Sequence, residues 1–451
     1  PVFYCADCGK PVCTDETIEA VSRLFAEKGS NAWFEMDAAD ILPKGFACPH
    51  CGKSAGFTKE EDTLDGWFDS GSTHFAAMKK DQGFWPATMY LEGLDQYRGW
   101  FQSSLLTAVG AFGEGAPFKE CVTHGWTVDG EGRAMHKSLG NGVDPADIFN
   151  ENGADILRLW AASADYHADV RCSKAIFQQL SQNYLKFRNT CKFMLDNLVD
   201  FDPAHLTKAE DMPVLDRWLI TKLNELIEKV EQSYNDYEFH IITHAVNDFC
   251  VTTLSSFYLD IVKDRLYCEA ADSAERRSAQ TALYLTLSTL AKLFAPILAF
   301  TCDEIWLAMP HTAEDDARNV VLNDMNKPFT AYALDAETMA RWEHIIEVRT
   351  AVNGALEEAR AAKVIGKSLE ADVHLTVPEG DVFLADENPA ALADLFIVSK
   401  VELTVGGELA VKVENAAGTK CPRCWKHSLT PNAEGLCPRC AEVVRHLPDL
   451  L

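Results

Sequence analysis

The spacing of apolar residues divides the chain into a central helical part and two flanking parts that contain strands. Between residues 173 and 362, apolar side chains recur every three or four positions, as at Leu219, Leu223, Leu226 and Val230. This is the spacing of one face of an amphipathic helix. The pattern predicts a bundle of long helices over residues 173–198, 213–234, 239–270, 274–309 and 335–362.

The segments on either side of this bundle show strand patterns. Short apolar runs at residues 87–91 and 120–124 are typical of buried strands, and a helical stretch at 100–110 lies between them. Alternation of apolar and polar residues at 371–377 and 400–405 predicts two more strands. The predicted fold class is therefore α/β plus all-α, with a small α/β unit after the bundle.

Four Cys-x-x-Cys pairs contain eight of the 15 cysteines: Cys5 and Cys8, Cys48 and Cys51, Cys421 and Cys424, and Cys437 and Cys440. The last two pairs both read Cys-Pro-Arg-Cys. Four thiolates on two tight turns form a closed tetrahedral Zn²⁺ site, which makes the metal structural. The first two pairs predict a second structural zinc site with a longer loop between its halves. Unligated thiols remain the alternative at both sites, and disulfide-bonded cysteines are a further alternative at the site formed by the last two pairs.

Composition and cysteine spacing indicate the compartment of the protein and argue against some functional classes. A secreted disulfide scaffold would be smaller and would space its cysteines differently, so the pattern indicates a reducing compartment, which we take to be the cytoplasm. We find no run of about 18 apolar residues, the length that a membrane-spanning helix needs. The net charge of −27 argues against a general nucleic-acid binder, although it permits local basic patches.

One such patch lies in the cysteine-rich tail. Its basic residues outnumber its acids, and Trp425 stands among them; the residues are Lys420, Arg423, Lys426, Arg439 and Arg445 against Glu434, Glu442 and Asp449. An aromatic side chain with nearby cations can contact RNA. A solvated surface of the zinc knuckles has the same composition, and the sequence leaves both interpretations open.

A glycine-flanked loop at residues 126–141 carries three groups that could bind phosphate: Arg133, His136 and Lys137. Cations on a mobile loop can stabilise the charge that develops on a leaving pyrophosphate. A lysine in a glycine-rich loop is weak evidence when taken alone, because many surface turns have this composition. The segments that precede and follow the loop in the sequence strengthen the interpretation of it as a phosphate-binding loop.

Residues 134–141, Ala-Met-His-Lys-Ser-Leu-Gly-Asn, resemble the Lys-Met-Ser-Lys-Ser signature loop of class I aminoacyl-tRNA synthetases. Residues 153–160 resemble the helix that follows this loop in the isoleucine, valine and leucine subgroup. Residues 67–71 and 92–101 resemble two blocks of the isoleucyl-tRNA synthetase active site. All lie in the expected order, and the resemblance extends over essentially the whole chain, including both cysteine modules.

The resemblance implies roles for seven residues: Trp67, Glu92, Asp95, Gln96, Trp100, His136 and Lys137. Glu92 would bind the isoleucyl-adenylate through the substrate ammonium, and Asp95 and Gln96 would lie near the adenylate ribose. The two tryptophans would wall the isoleucine side chain. Lys137 is the implied catalytic residue, because it matches the second signature lysine, which stabilises the ATP phosphates in the transition state.

The signature loop departs from the family pattern at two positions. Ala134 replaces the first lysine and His136 replaces the serine, so one cation is lost and a partly protonated one is gained. We expect either weaker phosphate stabilisation or a transfer of the role to Arg133. The His-x-Gly-His motif of the class is absent from the sequence, and so is an editing domain. An editing domain would be needed because an apolar pocket rejects one missing methylene by only ~1–3 kcal/mol.

The resemblance also implies a division into domains. Residues 1–58 would be a zinc-ribbon module, and 59–172 the C-terminal half of a Rossmann-type nucleotide-binding catalytic domain. Residues 173–362 would be the helical anticodon-binding domain, 363–416 a small α/β junction and 417–451 the C-terminal zinc knuckle. The chain opens on Pro1 directly into a motif, so we expect a fragment of the longer enzyme.

The implied activity is ATP-dependent activation of isoleucine, with Mg²⁺ accompanying ATP, followed by transfer to tRNA(Ile). The enzyme would act as a monomer, and the chain alone would be inactive because it lacks half of the active site. A valyl-tRNA synthetase fragment is the nearest alternative. A non-catalytic, zinc-containing tRNA-binding protein is the alternative from another functional class.

Overall fold

The computed structural model of the chain describes residues 1–381, 383–385 and 387–447. The chain divides into two compact units, Pro1–His124 and Gly125–Leu451. Asp449 and the end of the predicted tail module lie outside the described residues. Within the described ranges, no helix combines the length and the apolar character needed to cross a membrane.

The first unit begins with a three-stranded antiparallel sheet in the order β2-β1-β3. Its strands are β1 (Phe3–Cys5), β2 (Pro11–Val12) and β3 (Phe57–Lys59), and the helices α1 (Asp15–Lys28), α2 (Ala32–Glu35) and α3 (Ala38–Ile41) lie between β2 and β3 in sequence. The Thr14 hydroxyl accepts a hydrogen bond from the Thr17 amide and so caps α1. Phe3, Val21 and Trp33 pack in the small core of this module.

The rest of the first unit contains two parallel strands, β4 (Ala87–Gly93) and β5 (Phe118–His124). Helix α4 (Gly66–Gly71) and a π-helical segment, His74–Gln82, precede β4. A 3₁₀ turn, Leu94–Arg98, then leads into α5 (Trp100–Leu106) and a π-helical turn, Thr107–Ala111. The strands predicted at 87–91 and 120–124 and the helix predicted between them are confirmed.

The second unit is mainly helical. It begins with β6 (Thr127–Val128), α6 (Pro145–Asn152), α7 (Ala154–Ser163) and β7 (Val170–Arg171), and β6 pairs with β7 in parallel. The long helices that follow are α8 (Lys174–Asp196), α9 (Val214–Asn235), α10 (Phe239–Asp248), α11 (Leu259–Cys268), α12 (Ala274–Phe294), α13 (Ala299–Ala308) and α14 (Ala336–Ala361). A π-helical segment, Phe249–Tyr258, joins α10 to α11. The predicted helical bundle is thus confirmed.

One predicted helix is wrong in its extent. The periodicity predicts a single helix over 274–309, whereas the structure has α12 and α13 separated at residues 295–298. Pro296 lies in this break. Proline lacks the amide hydrogen that an α-helix needs and collides with the preceding turn, so the apolar period continues across a point where the backbone cannot.

A small α/β layer and a cysteine-rich tail complete the second unit. The sheet has the order β10-β8-β9 and is formed by β8 (Ala371–Val377), β9 (Lys400–Val405) and β10 (Ala410–Asn415), with α15 (Pro389–Phe396) preceding β9. The two predicted strands are confirmed to the residue, while β10 and α15 were not predicted. The tail contains β11 (Thr419–Lys420), β12 (His427–Ser428) and α16 (Pro438–Arg445).

A buried carboxylate joins four segments of the helical bundle. Asp216 on α9 is fully buried and accepts hydrogen bonds from the Tyr258 hydroxyl at 2.8 Å and from the Ser278 hydroxyl on α12. Arg265 on α11 lies 3.3 Å from the same carboxylate. Burial raises the pKa of Asp216, and the Arg265 charge partly offsets this effect. The network ties α9, the π-helical segment, α11 and α12 together.

We expect Asp216→Ala to destabilise the second unit by about 3–5 kcal/mol, because it leaves the Arg265 charge and two hydroxyls without their buried acceptor. Thermal unfolding of the full chain, followed by circular dichroism at the helix band, measures this. Asp196→Ala is the control, since Asp196 forms an exposed pair with Lys192, which contributes only about 0.3–0.5 kcal/mol. Equal unfolding temperatures for the two variants would contradict the prediction.

Candidate active site and metal centres

Glu92 lies where the carboxyl ends of β4 and β5 meet. In the register of the pair, Glu92 is opposite Thr123 and Gly93 is opposite His124. One Glu92 oxygen accepts a hydrogen bond from the Gly93 amide at 2.9 Å and lies 3.9 Å from His124 Nε2. Ligands of α/β folds bind outside the carboxyl ends of parallel strands. The position of Glu92 is therefore one from which a carboxylate can reach a bound ligand.

The 3₁₀ turn after β4 fixes Asp95 and Gln96 relative to each other. The buried Gln96 side chain donates from Nε2 to an Asp95 carboxylate oxygen at 3.2 Å. Its Oε1 accepts a hydrogen bond from the Trp100 amide at 2.9 Å. A Cβ atom at Gly99 would overlap this same Oε1 atom. A larger residue at position 99 would therefore displace the Gln96 side chain from the hydrogen bonds that hold it at the start of α5.

Trp100 follows Gly99 in the sequence, and Trp67 lies close to Gly99 in space. The Trp100 ring stacks on Tyr90, with centroids 4.3 Å apart, and its indole nitrogen donates to the Ser70 carbonyl at 3.0 Å. Trp67 leaves 43% of its surface exposed, and a Cβ atom at Gly99 would be 3.4 Å from its Cδ1 atom. Asp95, Gln96 and Trp100 are thus joined by hydrogen bonds, Trp67 lies beside Gly99, and Glu92 lies at the end of β4.

Asp129 organises the signature loop in the second unit. Its carboxylate accepts hydrogen bonds from the Asn141 side chain, the Arg133 guanidinium and the amide of Glu131, at 2.9 to 3.0 Å. The Asn141 hydrogen bond, followed by those from Arg133, holds the pKa of Asp129 well below its usual range. The Asn141 side chain also accepts from the His136 amide and donates to the Ala134 carbonyl.

Sequence reasoning assigned no role to Asp129 or Asn141. The available signal was the turn pattern Asp-Gly-x-Gly, in which an aspartate side chain can accept hydrogen bonds from the amides that follow it. The partner at Asn141 is twelve residues away, so no local pattern pointed to it. The two residues form the frame of the loop through these hydrogen bonds.

The cations of the loop differ in their availability. The Arg133 guanidinium is paired with Asp129 at 2.9 Å and with Glu131 at 3.1 Å. His136 Nδ1 lies 3.2 Å from the Ser138 hydroxyl. Lys137 is exposed, and none of the described residues forms an ion pair with its ammonium group. Lys137 is thus the loop cation that is available to an anionic ligand.

Two groups of four cysteines have the geometry of metal sites. Cys5, Cys8, Cys48 and Cys51 form one, and Cys421, Cys424, Cys437 and Cys440 form the other; within each group all Sγ atoms lie within 4.8 Å of one another. The Sγ separations include 3.6 Å for Cys5–Cys51, 3.8 Å for Cys8–Cys48 and 3.7 Å for Cys424–Cys437. Ligands about 2.3 Å from a tetrahedral Zn²⁺ would lie about 3.8 Å apart. Both groups therefore fit a zinc ion, and none of these cysteines is in a disulfide.

One thiol in each group has a pKa below that of a free cysteine. Burial raises the pKa of Cys421, but the amides of Cys424, Cys437 and Arg423 donate hydrogen bonds to its sulfur and lower the pKa to about 6. Cys48 in the first group behaves similarly, with burial opposed by backbone amides, and its pKa is about 7. Because metals bind the thiolate form, these two sulfurs suit the role of ligands.

Comparison with known proteins agrees with this architecture. The family model described as tRNA synthetases class I (I, L, M and V) matches residues 1–173, and the model of the anticodon-binding domain of tRNA ligase matches residues 216–375. The agnB2 LeuRS of Agrobacterium radiobacter K84, solved in a ternary complex with tRNA and LeuAMS, is similar in fold with a TM-score of 0.52. It is 16% identical, and the match covers 92% of this chain and 44% of that protein.

The relatives in sequence are isoleucine--tRNA ligases. Those of Moorella thermoacetica and Carboxydothermus hydrogenoformans are 47% and 48% identical to the chain, over 99% and 100% of its length and 50% of theirs. The chain therefore spans about half the length of these curated relatives. Both family models and these ligases match in the order that the motifs predict, and we conclude that the chain belongs to the class I aminoacyl-tRNA synthetases, as a relative of the isoleucine--tRNA ligases.

Proposed function

We propose that the chain forms part of an isoleucine-tRNA ligase. The observation that carries the proposal is the cluster of Glu92, Asp95, Gln96 and Trp100 at the carboxyl end of a parallel strand pair, in a chain whose relatives are isoleucine--tRNA ligases. The chain spans about half the length of those relatives. The activity therefore belongs to the longer enzyme, and this chain contributes one part of its active site.

The reaction has two steps. The carboxylate of isoleucine attacks the α-phosphate of ATP, which arrives with Mg²⁺, and pyrophosphate leaves as the isoleucyl-adenylate forms. A ribose hydroxyl at the end of tRNA(Ile) then attacks the acyl carbon of the adenylate, and AMP leaves. Neither step needs a covalent enzyme intermediate, so the protein contributes positioning and charge stabilisation.

The side chains of the first unit suit the adenylate. The carboxylate of Glu92 binds the ammonium of the amino acid, since a carboxylate accepts charge-assisted hydrogen bonds from such a group. Asp95 and Gln96 bind the ribose, where two adjacent hydroxyls match a carboxylate beside an amide. Trp67 and Trp100 enclose the branched side chain of isoleucine, because flat aromatic surfaces bury alkyl groups efficiently.

The signature loop supplies the phosphate contacts. Lys137 stabilises the charge that develops as pyrophosphate leaves, and its exposed ammonium group forms no ion pair with the residues that the structure describes. His136 is its neighbour in the sequence, and its Nδ1 lies 3.2 Å from the Ser138 hydroxyl. The pairing of Arg133 with Asp129 supports a structural role for that arginine, so the position of Ala134 is left without a replacement cation.

The predicted domain division is part of the proposal. Residues 1–58 form the zinc-ribbon module, 59–172 the catalytic part, 173–362 the anticodon-binding domain, 363–416 the α/β junction and 417–451 the zinc knuckle. The matches of the two family models to residues 1–173 and 216–375 support the catalytic and anticodon-binding assignments. We place the enzyme in the cytoplasm as a monomer.

We expect the purified chain to bind two zinc ions, one at each group of four cysteines. Cys51→Ser and Cys437→Ser should each remove one equivalent, because three thiolates bind zinc more weakly than four. Metal analysis by plasma mass spectrometry after gel filtration in zinc-free buffer measures this. Cys13→Ser is the control, since Cys13 is exposed like Cys51 but belongs to neither group. Two equivalents retained by Cys51→Ser would refute the first site.

The catalytic proposal predicts activity in a chimera. The matched segment of the Moorella thermoacetica ligase is replaced by this chain, and isoleucine-dependent exchange of pyrophosphate into ATP is measured. We expect exchange by the chimera and none by the chain alone. Lys137→Ala should lower the exchange rate about 100-fold, which is typical of removing one group that stabilises transition-state charge.

Lys174→Ala is the matched control for this experiment. Lys174 is an exposed lysine paired with Glu151 on the surface of the second unit, and its loss should leave the rate unchanged. Exchange by the isolated chain would overturn the assignment of a partial active site. A chimera that folds but shows no exchange would favour the non-catalytic tRNA-binding alternative, and exchange driven by valine in preference to isoleucine would favour the valine enzyme.

The chain should also bind tRNA through its anticodon-binding part. We expect tighter binding to isoleucine tRNA than to valine tRNA in filter-binding assays at one moderate salt concentration. The salt must be fixed, because phosphate contacts make affinity strongly dependent on it. A matched measurement after zinc removal tests whether the tail contributes. Equal affinity for the two tRNAs would contradict the prediction that this part of the enzyme discriminates between them.

A further inference from the structure

The two Cys-Pro-Arg-Cys knuckles of the tail turn their arginines onto α11. We call Arg423 and Arg439 the knuckle arginines. Helix α11 ends at Cys268, and its last turn lies against the tail, so that Cys268 is buried together with Cys421, Cys424 and Cys440. The basic patch that the sequence offered to RNA is therefore occupied, at these two positions, by contacts within the second unit.

Arg439 forms a bidentate ion pair with α11. Its guanidinium donates to both oxygens of Asp264, one of them at 2.8 Å, and to Glu269 at 2.9 Å. The three side chains are between 19% and 33% exposed. A fork-to-fork arrangement of this kind fixes the orientation of the two partners as well as their separation. It orients α16, which carries Cys440, on the end of α11.

Arg423 caps the last turn of α11. Its guanidinium donates to the carbonyl of Cys268 and to that of Tyr267, the latter at 3.3 Å. The final carbonyls of an α-helix lack partners within the helix and carry its negative partial charge, so a guanidinium satisfies them well. The Nη1 atom, which donates to the Cys268 carbonyl, also lies 3.7 Å from Cys440 Sγ. One side chain thus touches both the end of the helix and a sulfur of the metal group.

Further contacts join the tail to the small α/β layer. Lys426 is paired with Asp394, Lys420 with Glu370 at 3.0 Å, and the His427 amide donates to the Ser399 hydroxyl at 2.8 Å. These contacts hold the strands of the tail, whereas the knuckle arginines hold its cysteines. The distinction matters because only the arginines lie within the Cys-x-x-Cys turns that fold around a metal.

We infer that Arg423 and Arg439 are positioning residues that couple metal binding at the tail cysteines to the docking of the tail on the C-terminal turn of α11. With zinc bound, the two knuckles are closed, and both guanidinium groups are held at the orientations that reach α11. Without the metal, nothing holds the two Cys-x-x-Cys turns together, and Arg423 no longer reaches the carbonyls at the end of α11. By linkage, docking strengthens metal binding by the same factor as metal binding strengthens docking.

The inference rests on the tail zinc site proposed above and is independent of the proposed catalytic activity. Its test uses the full chain in a Cys51→Ser background, so that only the tail site remains. Zinc affinity is measured by competition with a chromogenic chelator. We expect Arg423→Gln to lower the affinity about 10–100-fold, the usual effect of losing a group that supports a metal ligand, and Arg439→Gln to lower it as well. Failure of this background to bind zinc would overturn the tail site itself.

Arg445→Gln is the matched control. Arg445 also lies on α16, but it pairs with Glu442 on the same helix and is 68% exposed, so its loss should not change the affinity. Arg439→Lys should fall between wild type and Arg439→Gln, because lysine keeps the charge but cannot form the bidentate pair. Zinc bound equally by Arg423→Gln, Arg439→Gln and Arg445→Gln would overturn the coupling while leaving the zinc site intact.

Hydrogen exchange supplies a readout that needs no substitution. Removal of zinc from the wild-type chain should speed amide exchange in the last turn of α11, at residues 265–269, while the buried middle of α12 remains protected. Arg423→Gln with zinc bound should reproduce part of this change. Unchanged exchange at 265–269 after zinc removal would overturn the inference even if the arginine variants proved too unstable to purify.

Discussion

Burying a carboxylate costs several kcal/mol unless hydrogen-bond donors surround it, and this constraint shapes much of the second unit. Asp155, Asp216 and Asp264 each accept hydrogen bonds from residues outside their own segment. The chain has 68 acidic and 41 basic residues, so cations are scarce. Those that are paired with shielded aspartates therefore mark the places where segments must meet, whereas pairs on open surfaces contribute little.

The same constraint explains how the signature loop can lose a lysine and keep its shape. Asp129 is surrounded by donors from the loop itself, and Asn141 extends this frame to the Ala134 carbonyl and the His136 amide. The loop is thus held by a carboxylate and an amide, and residue 134 takes part through its backbone carbonyl. This frame pairs Arg133 with Asp129, whereas no ion pair to Lys137 is formed by the described residues.

Much of the fold could be predicted from local patterns, because helix and strand periods report directly which face of a segment is buried. The strands at 371–377 and 400–405 match to the residue. Two kinds of feature could not be predicted from local sequence patterns. The break between α12 and α13 follows from Pro296, whose effect on the backbone is invisible to a count of apolar positions. The role of Asp129, and the direction in which Arg423 and Arg439 point, depend on partners 12 to 175 residues away, and no local pattern reports such distances.

The cysteine groups of the candidate site were predictable because four cysteines in two Cys-x-x-Cys turns are the typical ligand set of a structural zinc ion. Their importance for stability follows from the size of the cores around them. In the tail, the cluster of buried apolar residues consists of Leu436 and four cysteines, three of them from the metal group. A module of this size buries too little apolar surface to fold alone, so a metal or a docking surface must supply the difference. The last carbonyls of α11 and the Asp264 carboxylate lie where the knuckles close. The proposed metal site and the docking contacts therefore involve the same few residues.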